Sequence, residues 1–131
     1  MDMEIRFPGG LKVDAEYRGF TIRTDQGVSS GGEGSAPEPF TYFLASIGTC
    51  AGIYVLSFLK SHGLPTEGVS LVQRMTFDPV EKRLAKIGIE IRVPAGFPEK
   101  YRKALERSAE LCAVKKAIDN PPEFLVTSVE T

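Results

Sequence analysis

Two cysteines, Cys50 and Cys112, are the residues of this chain best suited to redox chemistry. Cys50 lies within residues 46–52, SIGTCAG, between two glycines and with hardly a charge nearby. Apolar burial keeps a thiol protonated and inert unless a cation or hydrogen-bond donor stabilises its thiolate. Two cysteines are too few for a structural zinc site, and a lone disulfide rarely persists in a reducing compartment. The two cysteines are therefore either inert packing residues or redox-active ones.

The remaining titratable residues indicate neither a metal site nor a nucleic-acid partner. The single histidine, His62, follows a long apolar segment and fits the C-terminal end of a helix, and no metal-ligand spacing joins it to the cysteines. Sixteen Lys and Arg against seventeen Asp and Glu give a net charge of −1, without a basic footprint. The opening MDMEIRFPGG contains no apolar signal region. We therefore expect a cytoplasmic protein with no metal, no bound cofactor and no nucleic-acid partner.

The elements that must position Cys50 begin with strands. Residues 3–7 and 11–25 show partial apolar alternation around a Gly-Gly pair, which predicts antiparallel strands joined by a tight turn. Residues 26–39 are rich in Gly, Ser and Pro, which predicts an exposed loop that is not packed. Two prolines, Pro37 and Pro39, suit the start of a helix that we expect from about residue 40 to about residue 61.

This predicted helix has no polar face. Its apolar residues point in every direction, so every side of it must be covered. Its length would also cross a bilayer, but Ser46, Thr49 and Ser57 interrupt the run and no basic or aromatic flank supports a membrane span. We favour a central helix enclosed by sheet and by a second subunit. The small residues Ser46, Gly48 and Gly52 predict a close helix-to-helix contact on their face.

The second half of the chain predicts a hairpin followed by two helices. Residues 69–79 and 84–94 alternate apolar and polar positions, as in two half-buried strands. Residues 98–111 place apolar and charged side chains on opposite faces of a helix, which Cys112 follows. Residues 113–118 predict a short further helix, and FLVTSVE, from residue 124, predicts a closing strand. With 131 residues, we expect one domain with one core.

Several motifs of the sequence resemble the OsmC/Ohr family. They are the Gly31-Gly32 loop with its Ala-Pro-x-Pro-Phe continuation, the segment Phe43-Leu44-Ala45-Ser46-x-Gly-Thr-Cys50, and Cys112-Ala-Val-Lys-Lys-Ala-Ile. The resemblance spans nearly the whole chain, and the two cysteines are its most specific part. It implies an α+β fold in which antiparallel sheets wrap around long central helices in an intertwined homodimer. It also implies a thiol peroxidase that reduces organic hydroperoxides and is regenerated by an external dithiol.

The resemblance assigns roles residue by residue. Cys50 matches the family's peroxidatic cysteine, and Cys112 matches its resolving cysteine, which closes a disulfide with the first. Arg18 matches the strand arginine that holds the thiolate, with Arg23 as the alternative. The family's orienting glutamate falls on Thr41, where this sequence departs from the pattern; Glu38, three residues earlier, is a possible substitute.

The chemistry requires these residues because a thiolate, not a thiol, attacks the O–O bond. An arginine within reach stays charged, donates hydrogen bonds to sulfur and polarises the leaving oxygen. The sequence leaves two hypotheses: a dithiol hydroperoxide reductase built on Cys50, Cys112 and Arg18, and a non-catalytic dimeric module that binds an apolar small molecule. Thr41 keeps the second hypothesis open, because the fold could persist without the orienting carboxylate.

Overall fold

The computed structural model describes residues 1–131 and has a mixed helix and sheet architecture. The chain divides into two compact units, Met1–Ala45 and Ser46–Thr131. The first unit contains a three-stranded antiparallel sheet, and the second contains a two-stranded antiparallel sheet with helices. The expectation of one domain stays a prediction.

The first unit confirms the predicted antiparallel strands. Strands β1 (Glu4–Gly9), β2 (Lys12–Tyr17) and β3 (Phe20–Thr24) pair in the order β1-β2-β3. The pairing of Tyr17 with Phe20 leaves a two-residue turn, in which Arg18 and Gly19 have φ values of 49° and 81°. Two positive φ angles are typical of type I′ hairpin turns, whose backbone twist matches the right-handed twist of the flanking strands. Arg18, expected on a strand, therefore lies at the tip of a hairpin.

The loop after β3 is exposed over most of its length, as predicted. The prediction that it is not packed is wrong, because the loop is packed around one buried side chain. Asp25 is buried, with 1% of its surface exposed, and it organises the loop through hydrogen bonds. Its carboxylate accepts from the Ser35 hydroxyl at 2.6 Å, the Ser35 N–H at 3.0 Å and the Gln26 N–H at 2.7 Å. At Gly32 a Cβ atom would lie 2.1 Å from the Gln26 carbonyl oxygen, so only glycine permits this close approach.

Helix α1 (Pro39–Ser61) confirms the predicted central helix. Its buried residues recur every four positions along one stripe: Ile47, Ala51, Val55 and Leu59. The remaining apolar side chains stay largely open, as at Ile53, which is 54% exposed. The single chain therefore covers one stripe of a helix that is apolar all round. With a mean hydropathy of 1.7, α1 is long and apolar enough to cross a membrane. Core helices of soluble proteins meet the same criteria of length and hydropathy.

The second unit contains the predicted hairpin and amphipathic helix. Strands β4 (Ser70–Asp78) and β5 (Arg83–Arg92) pair antiparallel. A short 3₁₀ turn, Glu99–Tyr101, leads into helix α2 (Arg102–Ala109). The buried side chain of Leu105 in α2 packs with Val55 and Leu59 of α1, and apolar residues of both strands surround them. This cluster fixes α2, and therefore the start of the segment that carries Cys112, against α1.

The chain ends with helix α3 (Ala113–Asp119) and an irregular segment, residues 121–131. The predicted short helix is confirmed, and it extends one residue further than expected. The predicted closing strand is wrong for the single chain: Phe124, Leu125 and Val126 are each at least 85% exposed and have no strand beside them. A strand requires a neighbour for its backbone hydrogen bonds, and the residue types of a segment do not supply one.

Candidate redox site

Cys50 lies in the middle of α1, next to the buried stripe and half-buried itself. It follows Ile47 by three residues and precedes Ala51 by one, so it sits at the edge of the covered face. At Gly48 strand β4 approaches the helix, because a Cβ atom there would lie 2.5 Å from Oε1 of Gln73, whereas nothing lies within 4 Å of a Cβ atom on Gly52. Gly48 therefore provides room for β4 against α1, two residues before Cys50.

Cys112 lies between α2 and α3 and is buried, with 2% of its surface exposed. Its S–H donates to the carbonyl oxygen of Ile47, one turn before Cys50, at a sulfur–oxygen distance of 3.9 Å. Its Sγ also accepts from the Lys115 N–H at 3.4 Å, which makes Cys112 the N-cap of α3. The structure thus brings together the two cysteines that the sequence singled out, within the second unit.

The surroundings of the two sulfurs shift their pKa values in opposite directions. The neighbouring Val114 N–H, the Cys112 side chain and the Ala113 N–H together hold the Cys50 pKa below its usual range. Burial raises the pKa of Cys112, and the neighbouring Cys50 sulfur raises it further. The arrangement therefore favours a thiolate at Cys50 and a neutral, hydrogen-donating thiol at Cys112.

Arg18 belongs to the first unit, where its guanidinium lies over the Tyr17 ring, 5.0 Å from the ring centroid. The salt bridges of this unit involve the N-terminal amine, Arg6 and Lys12, and none involves Arg18. Arg23, the alternative, is exposed on β3, and its backbone carbonyl accepts from the Tyr42 hydroxyl at 2.7 Å. The tip position leaves the guanidinium of Arg18 exposed and without a carboxylate partner in its unit.

The two candidate positions for the orienting carboxylate lie at the start of α1. Thr41 is exposed, and its N–H donates to the Glu38 carbonyl oxygen at 3.0 Å. Oε1 of Glu38 accepts from the Gly27 N–H at 3.3 Å, so this carboxylate contacts the loop backbone. Glu38 therefore does not orient Arg18 within the first unit.

Sequence reasoning missed the backbone donors of the α3 start. A Cys at the N-cap position before Ala-Val-Lys-Lys is a signal that could have found them, since the first turn of a helix has unpaired N–H groups. The charged side chains of Lys115 and Lys116 attract attention in the sequence, but the contact that Lys115 makes with Cys112 is through its backbone N–H. The structural role of Asp25 was also not predicted, because no spacing rule connects it to Ser35.

These features define a class of protein: a small α+β chain with a paired, asymmetric dithiol at an apolar helix. The sequence matches the model of the OsmC-like protein family over residues 32–127. The chain belongs to this family. A search of the curated proteins found no match.

Similar solved structures support the fold. One is a Psychrobacter arcticus protein described as an osmotic stress induced and detoxification response protein. It has a TM-score of 0.72 at 19% identity, and the alignment covers 88% of this chain and 85% of that one. An organic hydroperoxide resistance protein, OsmC, of Legionella pneumophila has a TM-score of 0.57 at 20% identity, covering 90% and 89%. A Vibrio cholerae protein assigned to organic hydroperoxide resistance, with captopril in one of its active sites, has a TM-score of 0.58 at 14% identity, covering 92% and 86%. At these identities the likeness shows the OsmC-like fold.

Proposed function

We propose that this protein is a thiol-dependent reductase of organic hydroperoxides. Cys50 is the attacking nucleophile, Cys112 resolves the intermediate, and Arg18 stabilises the reacting groups. An external dithiol regenerates the enzyme, which works in the cytoplasm without a bound cofactor. Membership of the OsmC-like family and similarity in fold to proteins described as organic hydroperoxide resistance proteins support this proposal.

The observation that carries the proposal is the asymmetry of the two thiols. Cys50 receives N–H donors and its pKa is lowered, whereas burial raises the pKa of Cys112. Two inert packing cysteines would have no need of donors aimed at one of them. A nucleophile must be a thiolate, while a resolving cysteine can stay a thiol until the first has been oxidised. The asymmetry therefore matches the division of labour that the reaction requires.

The reaction balances with the groups that the chain provides. The Cys50 thiolate attacks one peroxide oxygen, the O–O bond breaks, and the leaving alkoxide takes up a proton to become an alcohol. The product at Cys50 is a sulfenic acid. The Cys112 sulfur then attacks the Cys50 sulfur and displaces hydroxide, which combines with the Cys112 proton to give water. A dithiol reduces the resulting disulfide and is itself oxidised to a disulfide.

The proposal includes a homodimer that encloses α1. The exposed apolar side chains of α1, among them Phe40, Phe43 and Ile53, need a cover that one chain does not provide. The exposed C-terminal segment, residues 121–131, also lacks a strand to pair with. We expect an obligate dimer with an interface above about 2,000 Å². Light scattering at micromolar concentration tests this, and a compact monomer would contradict it.

The decisive experiment measures peroxide consumption. Purified protein, an organic hydroperoxide and a dithiol are combined, and the wild type is compared with Cys50→Ser and Cys112→Ser. We expect turnover by the wild type, none by Cys50→Ser, and slower turnover by Cys112→Ser, whose Cys50 sulfenic acid must react directly with the external dithiol. Equal background rates for the wild type and Cys50→Ser would contradict the proposed function.

A second candidate is a non-catalytic dimeric module that binds an apolar small molecule. The observation that favours it is the unpaired state of Arg18 in its unit, with Thr41 in place of a glutamate and Glu38 bonded to Gly27. Without an orienting carboxylate, the arginine is less well fixed for catalysis. Folded protein that binds a hydroperoxide analogue but consumes no hydroperoxide would support this candidate.

A further inference from the structure

Helix α3 depends on the sulfur of Cys112. It has seven residues, Ala113–Asp119, and none of them is buried. Isolated helices shorter than about 12 residues are marginal in water, so a helix this short and this exposed needs stabilisation at its ends. The N-terminal stabilisation is the bond from the Lys115 N–H to Sγ of Cys112, the usual contact between an N-cap side chain and the third residue of a helix.

The same sulfur is fixed on its other side. The Cys112 S–H donates to the carbonyl oxygen of Ile47, which ties the cap to α1. One atom thus caps α3, contacts α1 and lies beside Cys50. Any reaction that changes this atom changes all three contacts together.

Disulfide formation changes this atom directly. The Cys112 sulfur loses its proton and forms a covalent bond of about 2.05 Å to the Cys50 sulfur. The S–H that donates to Ile47 no longer exists. The sulfur must also move to bonding distance of the Cys50 sulfur, which changes its 3.4 Å contact with the Lys115 N–H.

We propose that oxidation of the cysteine pair uncaps α3, so that the C-terminal segment, residues 113–131, reports the redox state of the buried thiols at the protein surface. This rests on the proposed pairing of Cys50 with Cys112. In the reduced protein α3 is capped and its first turn is ordered. In the disulfide form its first turn unfolds more often, and the apolar segment that follows, with Phe124 and Leu125, loses its fixed starting point.

Hydrogen exchange measured by mass spectrometry on the full-length protein tests the proposal. The disulfide is formed with diamide, an azo compound that accepts two electrons and both thiol protons and becomes a hydrazine, so peroxidase activity is not needed. Peptide mapping verifies the bond between Cys50 and Cys112. We expect the amides of Lys115 and Lys116 to exchange about 2- to 30-fold faster in the disulfide form than in the reduced form, the range expected for loss of a helix cap.

Three variants separate the cap from other effects of oxidation. Cys112→Ser keeps a capping side chain but cannot form the disulfide, so α3 should stay protected with and without diamide. Cys112→Ala removes the cap, so α3 should exchange fast under both conditions. Cys50→Ser keeps the Cys112 cap but removes the second thiol of the disulfide, so diamide should not change the hydrogen exchange of α3.

The outcomes also separate this proposal from the proposed function. If a hydroperoxide fails to oxidise the protein but the diamide-induced disulfide uncaps α3, the peroxidase proposal fails and this one stands. If the disulfide forms and the exchange of Lys115 is unchanged, this proposal is overturned whatever the activity. It is also overturned if Cys112→Ala is as protected as Cys112→Ser, or if diamide yields no bond between the two cysteines.

Discussion

Replacing Ala113 with proline tests whether backbone N–H groups support the Cys50 thiolate. Ala113 is the first residue of α3, where proline is tolerated because its fixed φ angle is helical. The preceding residue, Cys112, has φ −49° and ψ 122°, a conformation that proline favours in its neighbour. The substitution Ala113→Pro therefore removes the N–H donated to Cys50 and keeps the helix.

The size of the effect follows from the loss of one hydrogen bond. A net contribution of about 0.5–1.5 kcal/mol per bond corresponds to about a 2- to 10-fold change in thiolate population at neutral pH. Because Cys50 is only half-buried, we expect the lower part of this range. The Cys50 pKa should rise, and the rate of alkylation of Cys50 by iodoacetamide at pH 7 should fall by the same factor.

The assay follows alkylation against pH in a Cys112→Ser background, so that only one thiol reacts. Ala113→Ser is the matched control, because it changes the side chain and keeps the N–H. Circular dichroism verifies that α3 and the rest of the fold persist. An alkylation profile of Ala113→Pro that coincides with that of Ala113→Ser, in folded protein, would refute the role of these donors.

Three further predictions concern the orienting position, the loop and the core. Thr41→Glu should speed the oxidation of Cys50 by an organic hydroperoxide in stopped-flow experiments, because Glu38 is already bonded to Gly27; an unchanged or slower rate in folded protein would count against it. Hydrogen bonds from the Ser35 hydroxyl, the Ser35 N–H and the Gln26 N–H hold the pKa of Asp25 at about 2, below its ordinary 3.8, so its stabilisation is complete above about pH 4 and lost as pH falls towards 2. Chemical denaturation should show that the free energy of unfolding of the wild type falls between about pH 4 and pH 2. The variant Asp25→Asn should be less stable than the wild type at pH 7 and should not show this pH-dependent fall. Leu105→Ala should lower the free energy of unfolding by about 2–5 kcal/mol, because Leu105 is 1% exposed in the core cluster, and a loss below 1 kcal/mol would contradict this packing.

Local patterns were sufficient to predict most elements. Helix α1 and the β4–β5 hairpin were predicted because their apolar spacing is set by helix and strand geometry, which the sequence displays directly. The family and the fold class were predicted from the motifs around Cys50 and Cys112, and both are confirmed. Helices and strands with a regular apolar spacing can therefore be predicted from the sequence of this chain.

The missed features depend on contacts that spacing does not encode. The turn at Arg18 requires two positive φ angles, and only Gly19 signals them in the sequence. Asp25 is tied to Ser35 ten residues away through a loop whose path no periodic pattern specifies. The closing strand was wrongly predicted because residues that suit a strand show that a segment can pair but not that its own chain provides a partner.

The proximity of the two thiols could not be predicted from their positions in the sequence alone. Cys50 and Cys112 are brought together because Leu105 anchors α2 on α1 and the chain then turns back into α3. The asymmetry of their pKa values depends on N–H groups of residues 113 and 114, whose directions are fixed only by the folded backbone. Side-chain identity suggested the chemistry, and backbone geometry decides which sulfur has the lowered pKa.

The most direct test of the central claim is a single-turnover oxidation analysed by intact mass and peptide mapping. Reduced protein receives one equivalent of an organic hydroperoxide, without any reductant, and is quenched by a thiol-alkylating reagent. We predict that the wild type loses two hydrogens and contains a disulfide between Cys50 and Cys112, while Cys112→Ser gains one oxygen at Cys50. Wild-type protein in which both cysteines remain fully alkylatable after exposure to the hydroperoxide would contradict the assignment of a peroxidatic dithiol.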